Sequence, residues 1–208
     1  MKNFCDTYNV SRETFDKLKH YQSMLIEWQA RFNLVSSSTL EDAWNRHFLD
    51  SAQLFSLIPN QAKILYDFGS GAGFPGMVLA IMANEKMPNL QVSLIESTTK
   101  KTLYLNAVKA ETNTNVTILN DRIEKLRLPQ ADVITSRAMA SLTELLGYAY
   151  RFCKKESLCI FPKGKKYAEE LAEAHKHWKF KCQIIASSQS DEGKILVITD
   201  LSKTKGEK

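Results

Sequence analysis

Two carboxylates and a run of glycines are the residues most able to do chemistry in this sequence. The segment from Asp67 to Gly76 reads Asp-Phe-Gly-Ser-Gly-Ala-Gly-Phe-Pro-Gly, and Glu96 follows it twenty residues later. Glycine permits positive φ angles and lets a ligand approach the backbone without a Cβ atom in the way. The segment therefore predicts a ligand-binding turn with an acidic side chain on either side of it.

The turn can be interpreted in two ways. Read from Asp67 it is Asp-x-Gly-x-Gly-x-Gly, typical of S-adenosylmethionine sites, whereas read from Gly71 it is the dinucleotide pattern Gly-x-Gly-x-x-Gly. A dinucleotide needs amides for its pyrophosphate, and Pro75 removes one N–H at the helix start. S-adenosylmethionine has no phosphate; its cationic end suits Asp67, and its ribose hydroxyls suit Glu96. The residues favour S-adenosylmethionine and leave an NAD(P)-dependent oxidoreductase as the alternative.

The elements that position this turn follow from the hydrophobic pattern. From residue 62 onward, short apolar runs alternate with helical patterns, which predicts βα units on a mainly parallel sheet. The predicted strands are Lys63–Asp67, Gln91–Glu96, Val116–Asn120, Ala131–Ser136, Ser157–Phe161, Lys181–Ala186 and Lys194–Asp200. The predicted helices are Pro75–Asn84, Lys100–Thr112, Leu142–Phe152 and Tyr167–Trp178.

The last two strands are separated only by the turn-rich residues 187–193. A parallel connection needs roughly a dozen residues, so these strands are expected to form an antiparallel hairpin. A mainly parallel α/β sheet that ends in such a hairpin is the Rossmann-like architecture of class I S-adenosylmethionine-dependent methyltransferases.

The first sixty residues are predicted to be helical. Apolar residues recur at three- and four-residue steps in two stripes, the first preceded by a candidate N-cap at Ser11. The stripes comprise Phe15, Leu18, Tyr21, Leu25, Trp28 and Phe32, and, after the polar break Ser36–Thr39, Leu40, Trp44, Phe48, Ser51, Phe55 and Ile58. We therefore expect a helical extension packing on the core (1–60), a methyltransferase domain (61–202) and a basic flexible tail (203–208).

Composition is that of an ordinary globular protein. Hydrophobic residues make up 44% and charged residues 25% of the 208 residues, and no apolar run is long enough to span a bilayer. The first residues lack the apolar core of a signal peptide, so a cytoplasmic location is expected. The four cysteines form no Cys-x-x-Cys pair and histidines are sparse, so we expect free thiols and no metal site.

The net charge of +5 is concentrated in the C-terminal part of the chain. Residues 1–150 contain 15 basic and 15 acidic side chains, whereas residues 151–208 contain 13 basic and 8 acidic ones. Such an excess suits a polyanionic partner, with nucleic acid as the first candidate. A solvated surface with a frayed basic tail accounts for the charge equally well.

Several motifs carry a resemblance that covers nearly the whole chain, from about Phe15 to Asp200. They are Arg31-Phe-Asn33-Leu-Val-Ser36, Arg46-His47-Phe-Leu-Asp50-Ser51, the turn Asp67–Gly76, Leu94-Ile-Glu96-Ser-Thr-Thr-Lys100-Lys101, Ser136-Arg137-Ala-Met-Ala-Ser141 and Lys163-Gly164. In this order they resemble the bacterial RsmG (GidB) family, which methylates N7 of guanine 527 in 16S ribosomal RNA. The resemblance implies S-adenosylmethionine as cofactor and 16S rRNA, or an assembling small ribosomal subunit, as partner; we expect a monomer.

The resemblance also implies which residues contact the cofactor. The set comprises Gly69, Phe74, Ile123, Glu124, Arg137 and, at the ribose position, Glu96, and the glycine turn adds Asp67, Gly71 and Gly73. For Phe74, packing in the core is the alternative. Two positions depart from the family pattern: Ser36 stands where threonine is common, and Tyr104 or Leu105 where phenylalanine is usual.

Methylation at guanine N7 needs no general base. N7 has an in-plane lone pair and no proton to lose, so the reaction depends on aligning the base, the methyl group and the leaving sulfur. The sequence lacks a Pro-Cys nucleophile of the kind used in pyrimidine C5 methylation. It also has Ser136-Arg-Ala-Met where exocyclic amino methyltransferases have an Asn/Asp-Pro-Pro-aromatic motif.

Candidates for positioning the base come from the helical extension and from the strand ends. Arg46, His47 and Asp50 lie at helical spacings, so Asp50 can pair with both neighbours; they either line the approach to the methyl group or form a helix-packing network. Arg137 follows the fourth strand, which favours contact with the cofactor or the base. The alternative for Arg137 is an ion pair with Asp132 or Glu124.

Lys163 lies just beyond the fifth strand and is interpreted as a phosphate or base contact. The residues expected to face RNA are Asn33, Arg46, Lys100, Lys101, Lys163, Lys165 and Lys166. For the cluster 163–166, a solvated run of charge is the alternative. A non-catalytic RNA-binding module of the same fold is the second alternative to an enzyme.

Overall fold

The computed structural model describes residues 2–204, and the chain begins with a short helix, α1 (Lys2–Tyr8), that the hydrophobic pattern does not predict. The first predicted amphipathic helix is confirmed as α2 (Arg12–Gln29). The Ser11 hydroxyl caps it by accepting a hydrogen bond from the Thr14 amide. The helix ends before the last residue of its predicted stripe, because the Gln29 side chain accepts hydrogen bonds from two amides of the following turn.

The prediction of one continuous second helix is wrong. It is divided into α3 (Ser37–Leu40), which begins inside the predicted polar break, a π-helix (Trp44–Leu49), α4 (Asp50–Ala52) and a 3₁₀ turn (Phe55–Leu57). The π-helix has a tertiary partner, because the Arg46 carbonyl accepts a hydrogen bond from the guanidinium of Arg137. Such π-turns occur frequently at functional sites.

Seven strands form one sheet in the order β3-β2-β1-β4-β5-β7-β6. The strands are β1 (Ile64–Phe68), β2 (Gln91–Ile95), β3 (Thr117–Leu119), β4 (Ala131–Ser136), β5 (Cys153–Lys163), β6 (Trp178–Ala186) and β7 (Lys194–Lys203). Pairing is parallel from β3 through β5, and β7 is antiparallel to both β5 and β6. The predicted antiparallel hairpin is therefore confirmed. The helices between the strands are α5 (Gly76–Lys86), α6 (Thr99–Glu111), α7 (Leu142–Tyr150) and α8 (Tyr167–His177).

The C-terminal strands are longer than predicted. β5 begins at Cys153 and β6 at Trp178, in stretches where exposed side chains obscure the apolar pattern while backbone pairing continues. β7 continues through Lys203, so the predicted tail, 203–208, begins too early. Residues 205–208 of that tail lie outside the described part of the chain.

Helices cover both faces of the sheet. Successive strand residues point to opposite faces, so Leu65 packs with α2, α5 and α6 while Tyr66 packs with α7 and α8. Helix α5 is buried on all sides, with Met77, Leu79 and Ile81 at most 2% exposed. Because α5 starts from the glycine turn, its packing against α2 and the sheet holds that turn in place.

Two further findings concern the described residues, 2–204. None of their helices combines the length and apolar character needed to cross a membrane. They contain no group of three or more histidine, cysteine or acidic side chains placed to hold a metal ion. All four cysteines are free thiols, as expected.

Candidate active site

The glycine turn joins β1 to α5 at the carboxyl end of the parallel strands. Gly69, Gly71 and Gly73 have φ angles of 61°, 59° and 96°, a region other residues rarely adopt. A Cβ atom at Gly71 would have no neighbour closer than 3.8 Å, so this glycine faces space that a ligand can use. One at Gly73 would clash with the Tyr21 hydroxyl and lie 2.9 Å from Leu105. Gly73 therefore allows close helix packing, and its predicted cofactor contact stays a prediction.

Glu96 follows β2 and is only 6% exposed. Its carboxylate accepts hydrogen bonds from the amides of Gly71, at 2.9 Å, and Thr98, at 2.7 Å. These bonds fix the carboxylate beside the open face of the turn. A carboxylate has about four lone-pair sites, so two backbone bonds leave capacity for ribose hydroxyls.

A cleft of about 360 Å³ opens beside Glu96, and we refer to it as the cofactor cleft. Its lining comprises Gly69, Ile95, Glu96, Ser97, Lys101, Asp121, Arg122, Ile123, Glu124, Ala138 and Met139. Four predicted cofactor residues, Gly69, Glu96, Ile123 and Glu124, are thus brought together. The cleft lining contains three carboxylates and two basic side chains, beside an open glycine backbone. This charge suits a cationic ligand without phosphate better than a pyrophosphate.

Asp67 lies behind the turn and is fully buried. Its Oδ1 accepts a hydrogen bond from the Thr135 hydroxyl at 2.7 Å, while Oδ2 accepts no well-formed bond although the Gly76 amide is close. Burial raises the pKa of Asp67 to about 6, with the Ser70 and Thr135 hydroxyls opposing the shift. The Asp67 side chain supports the turn from below and does not line the cleft, and its predicted contact with the cofactor, direct or through water, stays a prediction.

A larger cavity, of about 590 Å³, adjoins the cofactor cleft; we refer to it as the base cavity. Ala138 and Met139 line both spaces. A Cβ atom at Gly69 would lie 2.6 Å from Met139 Cγ, so the Met139 side chain covers this glycine. Met139 therefore forms the partition between the two spaces. The base cavity also collects all the candidate positioning residues: Arg46, His47, Asp50, Arg137 and Lys163.

Arg137 links the end of β4 to the helical extension. Its Nη1 donates to the Arg46 carbonyl at 2.9 Å and pairs with Asp50 Oδ2 at 3.0 Å. Its Nη2 donates to His47 Nδ1 at 2.9 Å, and its guanidinium carbon lies 5.2 Å from the centre of the Phe74 ring. Three acceptors and one aromatic ring therefore fix the plane of this guanidinium.

Two expectations about this cluster are wrong. Asp50 pairs with Arg137 and, within the described residues, with neither helical neighbour, because the π-turn changes their spacing. Asp132 pairs with Lys154 and accepts two amides at the start of β1, so it is not available to Arg137. Arg137 itself lines the base cavity, which adjoins the cofactor cleft, and its implied cofactor contact stays a prediction.

His47 is 8% exposed and neutral at physiological pH. Burial and the charges of Arg137 and Arg46 lower the pKa of His47 to about 4. Because a guanidinium cannot accept a hydrogen bond, His47 Nδ1 is the acceptor from Arg137, and its Nε2–H donates to the Thr39 hydroxyl at 2.9 Å. His47 therefore contributes a fixed dipole and not an acid.

Phe74 belongs to the core and is 4% exposed. Its ring stacks on Tyr21 and His47, with centroids 5.3 Å and 5.0 Å apart. The ring holds His47 and Arg137 in place, and the implied contact of Phe74 with the cofactor stays a prediction.

Lys163 lines the base cavity, but its ammonium group is already bound. It pairs with Glu170 at 2.7 Å and donates to the Ala140 carbonyl at 3.1 Å, leaving the side chain 8% exposed. Glu170 also accepts the Leu142 amide at 2.8 Å. Without RNA this lysine anchors the loop that carries Met139, and its predicted phosphate or base contact stays a prediction.

Residues 14–195 match the family model described as GidB, rRNA small subunit methyltransferase G. The chain belongs to this family. The Rhodospirillum centenum protein named ribosomal RNA small subunit methyltransferase G is 41% identical over 200 residues, covering 96% of this chain and 90% of the relative. The protein of the same name from Orientia tsutsugamushi is 42% identical over 191 residues, covering 92% and 93%.

Solved structures share the fold. A SAM-dependent methyltransferase from Aquifex aeolicus superposes with a TM-score of 0.59 at 16% identity, over 81% of this chain and 95% of that one. M. jannaschii TYW2, solved in complex with AdoMet, gives 0.57 at 14% identity, over 82% and 78%. The class I methyltransferase architecture is thereby confirmed. As a GidB-family member the chain is an S-adenosylmethionine-dependent rRNA methyltransferase, which sets aside the oxidoreductase alternative.

The remaining RNA-facing candidates of this GidB-family chain are dispersed. Lys165 and Lys166 are exposed beyond β5, and Lys100 is exposed on α6. Lys101 lines the cofactor cleft, and its assignment to the RNA surface stays a prediction. Asn33 is exposed but lines neither the cofactor cleft nor the base cavity.

Sequence reasoning missed Met139 and Gln53 as site residues of the GidB fold. Gln53 Nε2 donates to Asp50 Oδ1 at 2.9 Å and to the Ser187 hydroxyl at 3.1 Å, while its Oε1 accepts the Ser188 amide at 2.9 Å. It thereby ties the β6–β7 loop to the Asp50–Arg137 pair. Met139 lies inside a motif that carries the family resemblance, whereas no local pattern points to Gln53.

Proposed function

We propose that this chain transfers a methyl group from S-adenosylmethionine to N7 of guanine 527 in 16S ribosomal RNA. The observation that carries the proposal is the pair of adjoining spaces, an acidic cofactor cleft and a larger cavity lined by Arg46, Arg137 and neutral His47, with Ala138 and Met139 common to both. S-adenosylmethionine, when bound, supplies an electrophilic methyl group on a sulfonium. The residues of the chain bind the cofactor and position the guanine base.

On the cofactor side, the chain supplies shape and negative charge. Gly71 leaves the backbone open, and Gly69 lines the cleft beneath the Met139 side chain. Glu96 is fixed by two amides at the position proposed for the ribose hydroxyls. Ile123 and Glu124 form the opposite wall of the cleft. Asp67 acts indirectly, by holding the turn through Thr135.

On the base side, the chain supplies hydrogen-bond donors and no proton. Guanine presents O6 and N7 as acceptors on one edge, and arginine is the residue that most often reads them. N7 must stay free to attack the methyl group, so we assign Arg46 or Arg137 to O6. His47, whose pKa is lowered to about 4, stays uncharged and offers no acid that would compete for the N7 lone pair. Asp50 keeps the Arg137 plane in position.

The RNA backbone is assigned to the exposed basic residues near the base cavity. Lys165 and Lys166 follow β5, and Lys194 lines the cavity from the start of β7. Exposed lysines neutralise phosphates without reading sequence. We infer that the chain acts in the cytoplasm as a monomer on 16S rRNA or on an assembling small subunit.

The proposal is tested with 16S rRNA and small subunits from cells that lack this protein. Each substrate is incubated with the purified protein and methyl-labelled S-adenosylmethionine, and transferred label is counted. Glu96→Ala serves as the matched variant with an impaired cofactor site. Label transfer to either substrate by the parent protein supports the proposal and identifies the preferred substrate. RNA binding without transfer favours a non-catalytic module.

A further inference from the structure

A second cavity adjoins the base cavity on the side of the helical extension. It has a volume of about 360 Å³, and its lining includes Phe4, Tyr8, Phe15, Lys19, Trp44 and Gln189. We refer to it as the aromatic cavity. Gln189 lines both this space and the base cavity, so the two meet at that side chain.

The π-helix lines both the aromatic cavity and the base cavity. Trp44 and Leu49, at the two ends of the π-helix, line the aromatic cavity, whereas Arg46 and His47 between them line the base cavity. Trp44 and Leu49 are five residues apart, which is the hydrogen-bonding repeat of a π-helix, so both side chains lie on the same side of the helix. The separation of the two cavities is therefore set by a single turn of backbone, which Arg137 also contacts.

The lining suits a nucleobase attached to a phosphate. Tyr8, Phe15 and Trp44 are half-buried, and the rings of Phe15 and Trp44 have centroids 5.5 Å apart. Lys19 is exposed, and its Nζ lies 4.8 Å from the centre of the Trp44 ring. Trp44 is stacked on Phe48 and has Lys19 over its ring, so Tyr8 and Phe15 are the rings assigned to the nucleobase. Aromatic rings stack on nucleobases of any sequence, and a lysine neutralises the adjoining phosphate. A purely apolar partner would require neither this cation nor the amide of Gln189.

We propose that the aromatic cavity binds the nucleobase next to the target guanine in the RNA strand, with Lys19 on its phosphate. The inference rests on the proposed function, because the target base defines the neighbouring position. Sequence-specific RNA recognition depends on splayed, unstacked bases. Holding the neighbour in a separate cavity unstacks the guanine and presents its N7 edge to the base cavity.

Oligonucleotide binding tests this proposal without requiring turnover. The probe is a fluorescently labelled single-stranded oligoribonucleotide with one central guanine, titrated in the presence of S-adenosylhomocysteine. Two matched probes carry an abasic site on one or the other side of the guanine. We expect one abasic probe to bind the parent protein roughly five- to a hundredfold more weakly than the intact probe. Tyr8→Ala should weaken the intact probe by a similar factor and remove its advantage over that abasic probe.

Lys19→Ala provides a second readout that does not depend on core packing, because this side chain is exposed. It should reduce the salt dependence of binding by about 0.7 in the slope of log affinity against log salt. The matched controls are Tyr150→Ala and Lys203→Ala, a second exposed aromatic–lysine pair, whose Nζ lies 5.8 Å from the ring centre and which lines neither cavity. Both controls should bind like the parent.

Each outcome bears on the inference. Equal affinity of the parent for intact and abasic probes, an undiminished abasic effect in Tyr8→Ala, or no measurable binding of the intact probe would overturn it. The two proposals fail separately. Abasic sensitivity in a parent protein that transfers no methyl group to rRNA would refute the proposed function and keep the subsite. Methyl transfer without abasic sensitivity would keep the function and refute the subsite.

Discussion

Replacing Arg137 by lysine tests the geometry of the base cavity. Lysine keeps the positive charge but concentrates it on one atom, whereas the guanidinium serves three acceptors in one plane. We expect the lysine to retain the ion pair with Asp50. The hydrogen bonds to the Arg46 carbonyl and to His47 Nδ1 would then be lost.

The size of the effect follows from the burial of this cluster. Arg137 and Asp50 side chains are 18% and 20% exposed, so solvent screens them only in part. Each hydrogen bond from a charged donor contributes about 1.5–3 kcal/mol, and relaxation recovers some of this, so we expect a loss of about 2–4 kcal/mol in the free energy of unfolding. For a domain of this size that corresponds to a fall in Tm of roughly 4–16 °C.

The rate of methyl transfer should fall by a larger factor than the loss of unfolding free energy alone would cause. With the base displaced by about an ångström, single-turnover methyl transfer at saturating cofactor should slow by roughly a hundredfold. The Kd for S-adenosylhomocysteine should stay unchanged, because Arg137 does not line the cofactor cleft. The assays are single-turnover methylation of rRNA, calorimetry and thermal unfolding.

Arg151→Lys is the matched control. Arg151 also donates to two carbonyls, those of Ile123 and Leu126, and its guanidinium carbon lies 5.3 Å from the centre of the Phe152 ring. It is exposed and its hydrogen bonds are 3.3 Å long, so the change should cost less than about 1 kcal/mol and leave methylation intact. If Arg137→Lys behaved like this control in both rate and stability, the assignment of Arg137 as a geometric anchor would be refuted.

Three further changes test other parts of the site. Glu96→Ala should raise the Kd for S-adenosylhomocysteine by roughly ten- to a hundredfold in calorimetry, and unchanged affinity would contradict the ribose assignment. Lys165→Ala with Lys166→Ala should lower the slope of log affinity for rRNA against log salt by roughly 1.4 at constant turnover, whereas a parental slope would remove these lysines from the RNA surface. Asp67 has a folded-state pKa raised to about 6 from 3.8, so its ionisation destabilises the fold as pH rises from about 4 to about 6. Relative to Asp67→Asn, the parent should lose about 2.4 kcal/mol between pH 4 and pH 7 in urea unfolding. A pH-independent difference would show that Asp67 is not desolvated.

Local sequence determines most of the fold, because the relevant interactions are short-range. The Ser11 cap, the glycine turn and the short connection at 187–193 each indicate their structure without reference to distant residues. The second amphipathic stripe is different. Its apolar residues fit a continuous helix, but the carbonyl of Arg46 is engaged by Arg137, ninety-one positions away, and the helix changes to a π-turn.

The site also contains features that local sequence indicates and features that depend on distant residues. Glu96 could be placed beside the glycine turn from the sequence, because parallel strands bring their carboxyl ends to one edge. Ile123 and Glu124 could be placed there only through the family resemblance. The burial and the partners of Asp67, Phe74 and Lys163 could not be predicted from the sequence, because they depend on residues that are distant in the chain. Asp67 is covered by the turn, Phe74 by aromatic rings, and Lys163 by Glu170, which belongs to a helix beyond it.

The methyl group and its position in the RNA are measured most directly by mass spectrometry of ribonuclease fragments and nucleosides of 16S rRNA. The RNA is taken from cells lacking this protein and from the same cells supplied with the parent chain or with Glu96→Ala. We predict that 7-methylguanosine at position 527 is absent without the protein, returns with the parent chain and is strongly reduced with the variant. Unchanged 7-methylguanosine in cells without the protein, or a methyl group appearing on another atom, would contradict the account.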